Sequence, residues 1–190
     1  MNQDTERLRR AVTEYESRLL RCALRWTGDP EVARDTVQDT FLRLCAQPPG
    51  AVDGHLAEWL FTVCRNRALD HRRKEGRMRT ATGASAAGGD STADSLAAAQ
   101  APPHEADPYL QSERRDTAAR ALRLLGLLPA NQQEVLRLKF QEGLSYKEIA
   151  GVTELTVSHV GVLIHHGLKS LRERMDVAAR TAPQGLKEAP

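Results

Sequence analysis

Aromatic residues are scarce in this chain of 190 residues, at 4% of the total, and cysteine is scarcer, at three. Cys22, Cys45 and Cys64 lie far apart, with no CxxC and no histidine pair at metal-ligand spacing, which excludes a disulfide framework and a zinc knuckle. Buried, reduced thiols are expected instead. No apolar run approaches the roughly 20 residues that span a bilayer, and the polar start MNQDTERLRR has no apolar signal-peptide core. The chain is therefore read as cytoplasmic, without membrane insertion. Neither sign of charge dominates, since 27 Lys and Arg face 25 Asp and Glu. That balance argues neither for nor against a nucleic-acid partner. A nucleophile motif, a glycine-rich phosphate loop and paired catalytic carboxylates are all missing. An enzyme is not expected, and no cofactor and no metal site are called.

Runs of β-branched residues are also absent, while Ala, Leu, Arg and Glu abound. With 41% hydrophobic and 27% charged residues, the composition is that of a globular all-α protein. A first helix is expected from Thr5 to Trp26, with Leu8, Val12, Tyr15, Leu19, Cys22 and Trp26 at helical spacing. Gly28 ends it, Asp29 caps a second helix (Glu31 to Ala46) and Pro30 sits in that helix's first turn, where a missing N–H costs nothing. A third helix is expected from Asp53, apolar at Leu56, Leu60, Val63, Cys64 and Ala68 and then strongly basic. Between Arg65 and Arg79 lie seven basic residues against Asp70 and Glu75, a local balance of +5 that the global sum hides.

Beyond it, Thr80 to Pro108 is rich in Ala, Gly, Ser, Thr and Pro, carries four acids and has no Lys or Arg. Such a segment buries too little apolar surface to offset its ordering entropy and reads as a flexible acidic linker. As a coil it would span about 30 Å on average, enough to set two heads on separate sites of one duplex. The expected organisation is two small helical domains: an N-terminal bundle at 1–79, a linker at 80–111, a four-helix domain at 112–178 and a disordered tail at 179–190.

The C-terminal half is the more telling. Ser112 to Leu127 and Pro129 to Gln141 read as helices, and Gly143 ends the latter. Ser145 and Glu148 then form a capping box, and a turn through Thr153, Glu154 and Leu155 leads to Thr156, which caps a longer helix. Val157, Val160, Ile164, Leu168, Leu171 and Met175 recur at steps of three and four and share its inner face. Ser158, His159, Val162, His166 and Lys169, flanked by His165, lie outward. That is a helix-turn-helix in outline, with an outer face that a major groove accepts.

The runs VARDTVQDTFLRL, LAEWLFTVCRNRALDHRRKE and LPANQQEVLRLKFQEGLSYKEIAGVTELTVSHV, in that order with a loose segment between the second and third, resemble a bacterial RNA polymerase sigma factor of the extracytoplasmic-function (ECF) type. The resemblance implies that Asp35, Gln38, Asp39, Phe41 and Arg43 grip the β′ clamp helices of core RNA polymerase, although Phe41 reads equally well as a core residue. It implies that Asn66 matches the position whose loop holds a flipped-out base of the minus-ten strand, with Asp70, Arg72 and Arg73 at the DNA-facing end. Arg65, Arg67 and Lys74 would position phosphates without reading sequence. Trp59 and Phe61 could stack on unpaired bases, with the core the favoured place for Trp59. The C-terminal module would read the minus-thirty-five element and lean on the β flap, and an anti-sigma factor is the implied regulator.

One departure stands out. Where related recognition helices carry Lys or Arg, Ser and Arg, this chain has Gly161, Val162 and Leu163, and His166 replaces a further Arg. Base contact would then fall to Ser158, His159, His165, His166 and Lys169, with Val162 against a thymine methyl. The expected function is a non-catalytic subunit that binds core polymerase and promoter DNA, and directs promoter recognition, melting and initiation. The alternative is a stand-alone helix-turn-helix regulator, which would have no need of the basic stretch from Arg65 to Arg79.

Overall fold

The computed structural model describes residues 3–81 and 119–180, with side chains over 5–77 and 119–176. All the regular structure among them is helical: α1 (Gln3–Thr27), α2 (Pro30–Cys45), α3 (Leu56–Ala81), α4 (119–126), α5 (Ala130–Phe140), α6 (Tyr146–Thr153) and α7 (Val157–Arg180). The expected linker from residue 82 onward, the start of α4 and the tail beyond residue 180 lie outside the described residues.

Local chemistry sets the N-terminal boundaries much as expected. Gly28 closes α1 at φ +77°, its N–H donating to the Leu24 carbonyl at 2.8 Å. The left-handed conformation there suits a residue without Cβ. The Asp29 carboxylate accepts from the amides of Glu31 at 2.7 Å and Val32 at 3.1 Å, and Pro30 opens α2. Helix α3 begins at Leu56 and not at Asp53, because Gly50 and Gly54, both at φ +82°, hold the preceding residues in turns.

Helices α1 to α3 enclose Leu19, Cys22, Ala23, Ala33, Val37, Leu60, Phe61 and Cys64, and α4 to α7 enclose Leu125, Val135, Leu136, Leu138, Ile149, Val152, Val160 and Ile164. Burial of Phe61 removes it as a stacking platform, while Trp59 and Phe41 pack partly buried against the core. Cys45 corrects the expectation of three buried thiols: it sits exposed at the end of α2, and only Cys22 and Cys64 are buried. The two halves lie against each other, with α3 packed on α6 and their apolar interiors continuous.

Candidate nucleic-acid interface

Helix α7 owes its placement to the turn before it. The Ser145 hydroxyl accepts from the Glu148 amide at 3.2 Å and the Glu148 carboxylate accepts from the Ser145 amide at 2.7 Å, the full capping box. These bonds hold the Glu148 carboxyl below the usual carboxylate range. Helix α6 ends at Glu154, which adopts φ 59° and donates its N–H to the Ala150 carbonyl. Thr156 then caps α7 by accepting from the His159 amide at 3.2 Å.

Val160, Leu163, Ile164 and Gly167 are buried, and Ser158, His159, Val162, His165, His166 and Lys169 are all exposed on the outer side. The inner stripe differs from expectation at both ends and in the middle. Val157 and Met175 are exposed among the described residues, and Leu163 is only 7% exposed. Leu163 is thus a core residue, so one of the non-basic substitutions in the recognition helix points away from any groove. Gly167 has a packing reason: a Cβ there would meet Leu136 Cδ1 at 2.7 Å, where α5 crosses α7.

The basic end of α3 is more engaged. Arg65 donates from Nε at 2.7 Å and from Nη2 at 3.2 Å to the two oxygens of Glu134, a residue of α5. Arg67 Nε lies 2.5 Å from Asp39 Oδ2, to which Arg43 also pairs at 3.2 Å. A residue assigned to DNA and two assigned to polymerase therefore form one charge cluster. Arg73 pairs loosely with Asp70 at 3.5 Å, whereas Arg72 and Lys74 are exposed and have no ion pair with any described residue. Asn66 is exposed too, but it lies within α3 and not on a loop. On α2, Asp35, Gln38 and Arg43 face solvent, and Gln38, Phe41 and Leu42 border an open apolar groove of about 500 Å³ against α1.

Known proteins share this arrangement. Residues 11–78 match the family described as Sigma-70 region 2, and residues 118–171 match Sigma-70, region 4. The ECF RNA polymerase sigma factor SigL of Mycobacterium tuberculosis is 34% identical over 170 residues, covering 87% of this chain and 86% of SigL. The chain belongs to the ECF sigma factors. In fold it is similar to RpoE of Bartonella quintana, solved with the anti-sigma factor NepR (TM-score 0.61, 20% identity, 89% of this chain and 96% of RpoE). It is similar also to CnrH, solved with the cytosolic domain of CnrY (TM-score 0.55, 21% identity, 91% and 90% covered). Region 2 of this sigma factor is thus α1 to α3, and region 4 is α4 to α7.

Sequence reasoning missed the residues that join the regions. Glu142, in the turn after α5, has a side chain with 0% exposure, and its carboxylate lies 3.1 Å from Arg18, 3.5 Å from Arg21 and 3.9 Å from Arg25. Arg18 also donates from Nη2 to the Glu142 carbonyl. Glu134, already held by Arg65, accepts from the Trp26 indole N–H at 2.9 Å. The available signal was the spacing of Arg18, Arg21 and Arg25 along one face of α1, a cationic stripe. Beneath it, burial pushes both the Cys22 and Cys64 thiols up to about 12, so each stays protonated and unreactive at neutral pH. Among the described residues no group of three metal-ligating side chains gathers, and no helix is long and apolar enough to cross a membrane.

Proposed function

We propose that this sigma factor acts in the cytoplasm as the non-catalytic initiation subunit of RNA polymerase, with separate surfaces for the enzyme, the minus-ten strand and the minus-thirty-five duplex. Asp35, Gln38 and Arg43, together with Asp39 and Phe41, form the face of α2 that takes the β′ clamp helices. Phosphate neutralisation falls to Arg72, Arg73 and Lys74, with Arg65 and Arg67, and an exposed amide at Asn66 suits hydrogen bonding to the edge of an extruded base. Asp70 lies beside Arg73 at the DNA-facing end of α3. Ser158, His159, Val162, His165, His166 and Lys169 enter the major groove, while region 4 leans on the β flap.

The observation that carries this reading is the outer face of α7, where six predicted groove residues are exposed together behind a capped turn. The polymerase supplies the chemistry, and the sigma factor supplies placement and stabilisation of melted DNA. Regulation by an anti-sigma factor is part of the proposal, supported by the fold's likeness to a sigma factor solved with its anti-sigma factor.

The test is reconstitution with core polymerase and run-off transcription from a genomic promoter library. Start sites that fire only with both components present support the reading. Failure to associate with core polymerase, or equally tight promoter binding without it, would overturn it in favour of a stand-alone regulator.

A further inference from the structure

We infer that α7 selects its minus-thirty-five element by thymine methyl groups and not by guanine edges, with Val162 as the residue that sets the preference. From Leu155 to Leu168 there is no Asp, Glu, Lys or Arg, a run of 14 residues in a chain that is 27% charged. The turn and the first three turns of α7 therefore carry no fixed charge. Ser158, Val162, His165 and Lys169 follow one another at steps of four, three and four, so they form the midline of the exposed side. Val162 is the apolar member of that line and is 51% exposed, whereas Leu163 beside it points into the core.

Position along the helix divides the work. The first turns of a recognition helix reach base edges, and Ser158 and Val162 lie there. Lys169 stands about 17 Å beyond Ser158, at 1.5 Å per residue, nearer the rim of the groove and its phosphates. Lys147 at the start of α6 and Arg172 after Lys169 are exposed as well, so cations border the neutral face on both helices. The commonest reader of guanine is an Arg or Lys that meets O6 and N7 together, and the first three turns of α7 hold neither. Valine donates no hydrogen bond, and its two methyls match the C5-methyl that thymine alone displays in the major groove. The Tyr146 ring of α6 borders the same face, 3.8 Å from where a Cβ would stand at Gly161, and adds no charge. The favoured element is thus a duplex with a thymine under Val162. This inference rests on the reading of α7 as the groove helix of the minus-thirty-five element.

The experiment uses the holoenzyme, the full chain with core polymerase, on a duplex library randomised across the minus-thirty-five region. In the selected duplex each thymine is replaced singly by deoxyuridine, which lacks only the methyl, and each guanine by 7-deazaguanine, which lacks the N7 acceptor. One deoxyuridine is expected to weaken binding roughly fourfold, the loss of one buried methyl-sized contact. Each 7-deazaguanine is expected to weaken it by less than about twofold, since no bidentate guanine contact is present to lose. Val162→Ala is expected to remove the response to that deoxyuridine. Val162→Arg is expected to prefer guanine over thymine at the same position by roughly tenfold.

Selection that shows no preference in the minus-thirty-five region overturns both the groove reading of α7 and this inference. A selected element that lacks thymine, or that depends on guanine N7 and ignores every deoxyuridine, overturns the methyl reading alone. So does a Val162→Ala holoenzyme that still responds to the deoxyuridine. The deoxyuridine scan of the parent needs no variant, so it decides the matter if either variant loses helical signal.

Discussion

Helix α7 and the basic end of α3 carry the two proposed DNA surfaces, yet they stand in opposite conditions. Every groove residue of α7 is exposed, whereas on α3 Arg65 is held by Glu134 and Arg67 by Asp39, leaving Arg72 and Lys74 as its unpaired cations among the described residues. The difference follows from what each face touches. The outer side of α7 faces solvent because its inner side fills the region 4 core. The α3 surface is shared with α2 on one flank and α5 on the other. A recognition face can therefore be complete in the free molecule while a strand-trapping face has to be assembled.

The sharpest way to break this contrast is to move charge by one residue along α7. Leu163→Arg buries a cation in the apolar core that Val160 and Ile164 share, and the expected cost is about 3–5 kcal/mol. Region 4 would melt, seen as loss of helical signal and of cooperative thermal unfolding. Val162→Arg, at a position 51% exposed, is expected to shift stability by no more than about 0.5 kcal/mol. It should strengthen duplex binding and steepen its salt dependence by about one unit. Equal destabilisation by both changes would refute the inward placement of Leu163.

A second, smaller effect probes α3. Arg72→Ala, Arg73→Ala and Lys74→Ala together are expected to weaken promoter binding by the holoenzyme uniformly across promoter sequences, with the salt slope shallower by roughly three units. Adding Arg65→Ala should flatten the slope by about one further unit in the holoenzyme. In the free chain it should have much less effect, because Glu134 already holds that guanidinium. Competition binding over a salt series checks both statements.

How legible these surfaces were depends on the physics behind each. The outer face of α7, the Asp29 cap and the Ser145 capping box follow from spacing and local hydrogen bonding, and the structure has them where the sequence places them. Leu163 was misjudged because the inward stripe was drawn through Val157 and Met175, which the structure leaves exposed. Glu134 and Glu142 gave no local signal, since their partners lie more than 100 residues away in sequence for Trp26 and Arg18, and 69 away for Arg65. Partnerships of that kind belong to packing between halves, which periodicity does not encode.

The smallest expected effect separates the two regions by acid. Glu148 in region 4 has its carboxyl lowered in the folded state by the Ser145 bonds, relative to an unfolded value near 4.3. A lowered folded value means stability that is present above the unfolded value and lost as pH falls through the folded one. Ser145→Ala removes the cap and should cost region 4 about 1 kcal/mol at neutral pH. That cost should shrink as pH falls below the ordinary carboxylate range and through the lowered folded value, where protonation dismantles the reciprocal bond. The Asp29 cap in region 2 stands on a different helix, so dye-reported unfolding of region 2 should not feel Ser145→Ala at any pH unless the packing of α3 on α6 couples the regions. A shared shift in both transitions would therefore place the Glu142 contact within one cooperative unit, and independent shifts would mark the two regions as folding separately.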